Sequence, residues 1–161
     1  MSALFIREEC GSYVPANPET VRQAAMQIAE EGMRRGVCEF GNPSATKDWL
    51  VARFTGIDRE EFVALWVDSQ SRLIEAETLS TGTINAANVY AREVVKSAIR
   101  CGAAGVIFAH NHPSGEPEPS MADKRMTDRL AAALALIDVR TLDHVVIGGA
   151  RAVSFAERGW L

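Results

Sequence analysis

The stretch Ala104-Gly105-Val106-Ile107-Phe108-Ala109-His110-Asn111-His112-Pro113-Ser114-Gly115-Glu116-Pro117-Glu118-Pro119-Ser120-Met121-Ala122-Asp123 decides the fold of this chain. Its apolar first part reads as a buried strand, and its proline- and glycine-rich centre as a loop. Ser120-x-x-Asp123 then opens a helix, with a serine cap and an acid at the positive end of the helix dipole. Residues i and i+2 of a strand point to the same face, so His110 and His112 can aim their imidazoles at one spot. The loop turns the chain back, and Asp123 can join them there. Asp123, Met126, Leu130, Ala133, Leu134 and Ile137 fall on one helical stripe. The carboxylate therefore faces the packed side, where an unpaired charge is costly and a metal ion would satisfy it. Two neutral nitrogens and one carboxylate are the three-ligand set of a catalytic zinc, with the fourth position left to water. Such an ion lowers the pKa of bound water to roughly 7.

Outward from this stretch, the chain alternates helices and strands. Residues 1–16 show no period and read as an extended arm available to a partner. Asn17-Pro18 starts a helix, with Val21, Ala24, Ala25 and Ile28 at helical spacing and a stop by Gly36. Gly41-Asn42-Pro43 breaks the chain, and Ser44 caps a second helix through Phe54, anchored by Trp49, Leu50 and Phe54. Glu61 to Val67 is a continuous apolar run after one acid, suited to a strand buried on both faces. Asp68-Ser69-Gln70-Ser71 is a turn, and Arg72 to Leu79 is the hairpin partner, with Leu73 and Ile74 facing opposite ways. Asn88 caps the next helix, which turns Ala91, Val94, Val95 and Ala98 inward and stops at Gly102. The helix from Ser120 runs to about Asp138. Leu142–Ile147 and Arg151–Phe155 are strands joined by Gly148-Gly149-Ala150. An opening hairpin followed by mixed elements predicts an α/β fold with a mixed sheet.

At 161 residues the chain is one domain with room for a core. No apolar stretch approaches the roughly 18 residues that cross a bilayer. The start MSALFIREECGSYV has neither the basic residues nor the apolar run of a secretory signal. Cys10, Cys38 and Cys101 stand at scattered spacing and read as reduced thiols of a cytoplasmic protein. A net charge of −4 argues against a dominant nucleic-acid surface. An HNH nuclease spreads its residues over a ββα unit, and a zinc nucleobase deaminase needs His-x-Glu and Cys-x-x-Cys; neither pattern is present.

Hydrolysis at such an ion needs an acid to carry a proton. Glu60, Glu61, Glu75, Glu77, Glu93, Glu116 and Glu118 are candidates, and spacing does not choose among them. Glu61 stands at the mouth of the most buried strand, where an acid is unexpected; Asp58-Arg59-Glu60-Glu61 also reads as a charged loop entering a strand. His144, on a short strand, reads as a packed, hydrogen-bonded residue rather than a ligand, with a role near the site left open.

The stretch HNHPSGEPEPSMAD resembles the JAMM zinc-hydrolase signature, H-x-H-P followed by S-x-x-D, in its bacterial RadC-type form. DREEFVALWVDSQSRLI, LSTGTINAANVYAREVVKSAI and LDHVVIGG are similar to RadC segments, so the resemblance runs from about Pro43 to the C-terminus. Tyr90-Ala91 departs from it, since relatives often carry a proline there. No Gly-h-Gly hairpin is evident, and the chain resembles a short form without the helix-hairpin-helix region: residues 1–42 an arm and helix, 43–161 the RadC-like JAMM domain. The resemblance implies a JAMM/MPN-like, cytidine-deaminase-like fold with a curved mixed sheet flanked by helices. It implies zinc on His110, His112 and Asp123. It selects Glu61 as the base, because these enzymes place their glutamate just before such a strand, and it makes Ser120 a hydrogen-bond donor to the oxyanion. Asn111 and Ser114 orient the loop. The implied activity is hydrolysis of an amide, peptide or isopeptide bond in a peptide or protein-conjugate substrate. The alternative is a DNA repair or recombination factor acting through nucleic acid or protein partners. A scaffold that has lost catalysis is disfavoured, because the ligands are all kept.

Overall fold

The computed structural model describes residues 4–7, 10–34, 43–82 and 89–161. Cys38, Asn88, the stop at Gly36 and the break at Gly41-Asn42 lie outside the described residues.

The fold is α/β, a mixed sheet flanked by helices. The arm is not merely extended. β1 (Phe5–Arg7) and β2 (Tyr13–Pro15) pair antiparallel as a small hairpin, with Phe5 and Tyr13 exposed. α1 (Pro18–Arg34) follows, capped by the Asn17 side chain, which accepts the Thr20 N–H at 2.8 Å. α2 (Pro43–Phe54) begins at the proline, one residue before the expected cap, because Pro at the first helical position sacrifices no hydrogen bond.

The main sheet contains β3 (Glu61–Val67), β4 (Leu73–Thr81), β5 (Gly105–Asn111), β6 (Arg140–Gly148) and β7 (Arg151–Ser154), in the order β4-β3-β5-β6-β7. Neighbours are antiparallel except β5 and β6. That parallel pair needs a crossover, which α4 (Met121–Ala135) supplies. α3 (Ala91–Cys101) connects β4 to β5. Its N-cap is Tyr90, in extended conformation and with no side-chain cap bond. It stops where expected, with Gly102 at φ 61 donating its N–H to the Ala98 and Ile99 carbonyls, a left-handed turn that a side chain disfavours. α4 ends earlier than expected, at Ala135, and Asp138 turns the chain at φ 58.

Alternation along the strands makes two cores. Val63, Leu65, Ile107 and Ala109 meet Trp49, Leu50 and Phe54 of α2 and Met33 of α1. Phe62, Ala64, Trp66, Val106 and Phe108 meet Val94 and Ala98 of α3 and Met126, Leu130 and Leu134 of α4. Each fully buried Val, Leu, Ile, Phe or Met among them stabilises the fold by about 1.5–3 kcal/mol. β3 is thus buried on both faces, as its apolar run requires. Phe62 pairs with His110 across the β3–β5 ladder, which puts His110 on the α3/α4 side. Among the described residues no helix is long and apolar enough to cross a membrane.

Candidate metal centre

At the end of β5 the pleat turns His110 toward α4, stacked at 6.2 Å on Phe62 and fully buried. His112 leaves the strand with its N–H donated to the Ile147 carbonyl at 2.7 Å, which holds the exit of the loop. α4 starts with a capping box: the Ser120 hydroxyl accepts the Asp123 N–H at 3.1 Å, and the Ser120 N–H and O–H both donate to Asp123 Oδ2 at 2.7 Å. Asp123 Oδ1 then lies 3.5 Å from His110 Nε2, and Oδ2 lies 3.8 Å from His112 Nε2. The two Nε2 atoms are 3.0 Å apart. A tetrahedral site with arms of about 2.0–2.1 Å has edges of about 3.3–3.4 Å. The carboxylate meets the two histidines through different oxygens, and the three separations lie on either side of that edge.

Burial holds the His110 imidazole below its ordinary range; the Asp123 carboxylate opposes this and His112 adds to it. Burial, reinforced by His110 and His112, holds His144 well below its ordinary range. These rings are neutral at pH 7, the form that binds a metal. His112 Nδ1 lies 2.7 Å from the Glu116 carbonyl. A carbonyl only accepts, so the network assigns the hydrogen to Nδ1, and Nε2 of the neutral ring presents its lone pair to the site. That carbonyl is held by close approach of the loop to β6. A Cβ on Gly148 would lie 2.4 Å from Pro117 N and 2.6 Å from the Glu116 carbonyl carbon, so glycine is required there.

The acid brought to the histidines is Glu60, not Glu61. Glu60, His110 and His112 each offer a ligand atom within 4.8 Å of one another, a cluster that could hold a metal ion. Glu61 is one residue further on and faces the opposite side of the sheet, where its carboxylate accepts from Arg53 Nη2 at 3.0 Å. The cause is the two-residue period. Glu60 shares the side of Phe62 and hence of His110, whereas Glu61 shares that of Val63. Asn111 holds this junction, its amide donating to the Arg59 carbonyl and accepting the Glu61 N–H, each at 2.8 Å. These peptide groups flank Glu60, so Asn111 orients the acid's backbone. The remaining candidates are engaged at the surface: Glu75 and Glu77 with Arg100, Glu93 with Lys96, Glu116 with Arg151 and Glu118 with Arg158.

Ser120 is seen here as helix cap and holder of Asp123, its hydroxyl hydrogen directed to Oδ2. His144 is packed and hydrogen-bonded, as expected, and reaches the centre as well. Its Nε2 lies 2.8 Å from His110 Nδ1 and its Nδ1 lies 2.5 Å from Thr127 Oγ1. The sequence offered one faint signal for Thr127, its position one helical turn after Asp123. A cavity of about 350 Å³ adjoins His112, lined by Val51, Phe54, Ile57, Pro113, Ile147 and Ala150 among others. Larger clefts along α1 and beside the end of α4 touch neither His110 nor His112, so size is no guide to the chemistry here.

A model of the RadC-like JAB domain matches residues 40–160. The chain is 52% identical over 141 residues to a UPF0758 protein of Vibrio cholerae, covering 88% of each chain. It is 45% identical over 139 residues to the UPF0758 protein YeeS of Escherichia coli K12, covering 86% of this chain and 94% of that one. It is 50% identical over 141 residues to the UPF0758 protein PSHAa2643 of Pseudoalteromonas translucida, covering 85% of this chain but 62% of that longer one. With its mixed sheet, its paired histidines at the end of β5 and this extent of similarity, the chain belongs to the RadC/UPF0758 family of JAB-domain proteins.

Proposed function

We propose that this centre holds zinc on His110, His112 and Asp123, and that the protein hydrolyses an amide, peptide or isopeptide bond in a peptide or protein-conjugate substrate. The observation that carries the reading is the convergence of two Nε2 atoms and a carboxylate, 3.0 to 3.8 Å apart, with Glu60 beside the histidines. Zinc fits this nitrogen and oxygen set, and when bound it supplies a Lewis acid that polarises a carbonyl and brings the pKa of water to about 7.

The chain's own residues divide the rest of the work. Burial keeps His110 neutral, and the Glu116 carbonyl holds the His112 hydrogen on Nδ1, which turns Nε2 toward the site. Asp123 is kept in place by the Ser120 N–H. Glu60 takes the proton from the attacking water and returns it to the departing amine, the general-base and general-acid role. The Ser120 hydroxyl turns from Asp123 to donate a hydrogen bond to the developing oxyanion.

Metal analysis of the purified protein, followed by cleavage assays on a peptide library and on isopeptide-linked conjugates, tests the reading. The expected result is one zinc per chain and metal-dependent cleavage. Asp123→Ala should weaken zinc binding more than about 100-fold, beyond the usual effect of losing an outer hydrogen-bond partner. Undiminished zinc uptake by that variant removes Asp123 from the ligand set.

A further inference from the structure

We infer that Thr127 and His144 are positioning residues that fix where the metal binds, by leaving one link of a buried hydrogen-bond chain without a hydrogen. The inference rests on the metal reading above. The chain runs from the Asp123 carbonyl to Thr127 Oγ1 at 2.7 Å and on to His144 Nδ1 at 2.5 Å. From His144 Nε2 it passes to His110 Nδ1 at 2.8 Å, from His110 Nε2 to His112 Nε2 at 3.0 Å, and from His112 Nδ1 to the Glu116 carbonyl at 2.7 Å. Thr127, His144 and His110 are fully buried, so water does not compensate a missing partner.

Both ends of this chain are carbonyls, which only accept. The five links need five hydrogens, whereas a hydroxyl and three imidazoles in the neutral form that a metal requires carry four. One link must therefore be a contact between lone pairs, or be bridged by a cation. It is at the link between His110 and His112 that the Asp123 carboxylate and Glu60 also converge. A cation placed there leaves the four hydrogens a single arrangement. Thr127 donates to the Asp123 carbonyl, His144 Nδ1 donates to Thr127, His110 Nδ1 donates to His144, and His112 Nδ1 donates to Glu116. Both Nε2 lone pairs are then delivered to the ion.

Thr127 is what makes the chain one hydrogen short. Without its hydroxyl, three links remain and three imidazole hydrogens close them, with His110 Nε2–H donating to His112 in the position the ion would take. In the loaded state His144 Nδ1–H would then be buried without an acceptor, a costly arrangement.

The test compares native protein, Thr127→Val and Thr127→Ser for cobalt and zinc affinity by competition with a chelating dye, with folding checked by circular dichroism. Thr127→Val should bind about 10–100-fold more weakly and Thr127→Ser about as well as native protein, although residue 127 is not one of the proposed ligands. Equal affinity in native protein and folded Thr127→Val overturns the inference while leaving the metal reading intact. Failure of the native protein to bind either ion overturns both. Long-range nitrogen NMR of zinc-loaded native protein decides the matter if the valine variant does not fold. His110 and His144 should each carry their hydrogen on Nδ1, and a hydrogen on His144 Nε2 overturns the inference.

Discussion

The two faces of the central sheet are built from similar apolar side chains, yet they end differently. On the α1/α2 side the packing stays apolar from Leu50 and Phe54 across to Val145 and Ile147, and the acid at the strand mouth, Glu61, is neutralised by Arg53. On the α3/α4 side the apolar packing gives way, at the end of β5, to His110, His144, Thr127 and Asp123, all buried and joined by hydrogen bonds. One face can be rigid because it contains little that needs solvation. The other places polar groups beyond the reach of water, where they must satisfy each other or an ion. The sheet between them gives the polar cluster a fixed wall.

The sharpest way to break this contrast is at adjacent glutamates. Glu60→Gln should lower hydrolysis by about 10²–10⁴-fold while zinc remains bound. Glu61→Gln should leave turnover within a few-fold of native and lose only the Arg53 pair, worth about 0–1 kcal/mol. Turnover and metal content of the two variants, measured on a substrate found by library screening, decide between them, and the reverse pattern would restore Glu61 as the base.

A second comparison sets stability against binding. Leu50→Ala, on the apolar face, should cost about 2–5 kcal/mol in urea unfolding. Metal affinity of the folded fraction should not change. A loss of affinity as large as that of Asp123→Ala would mean that the two faces are not independent.

The smallest effect is in pH. Burial holds His110 and His144 below their ordinary range, whereas in the unfolded chain they titrate near 6.5. As pH falls below about 6.5 the unfolded state takes up protons that the folded state refuses. The stability of metal-free protein is therefore full above that pH and drops below it, by at most about 1.4 kcal/mol per pH unit for each histidine. Urea midpoints at stepped pH values check this, and a flat profile from neutral to acid would show that the rings are not held neutral. Leu50→Ala should leave the slope unchanged, because its surroundings contain no such group.

The strands and helices were legible where the pattern was strong and local. The apolar run of β3, the stop at Gly102 and the Ser120–Asp123 box each depend on residues within one or two turns of one another. The start of α3 was not legible in the same way, since Tyr90 caps it by backbone geometry without a side-chain bond. The hairpin at the N-terminus is too short for a sequence pattern to show, with three residues in each strand and the outer two of each exposed.

By itself the sequence determined that two histidines share a face and that an aspartate follows at a helix start, because strand and helix periods are properties of the local backbone. It also determined that an acid stands before β3. Which acid faces the histidines depended on the pairing of Phe62 with His110, a register between strands 48 residues apart in numbering that no local period encodes. The same holds for Thr127 and His144. Their bonds join α4, β5 and β6, and only the packing of those elements brings their polar atoms within hydrogen-bond reach.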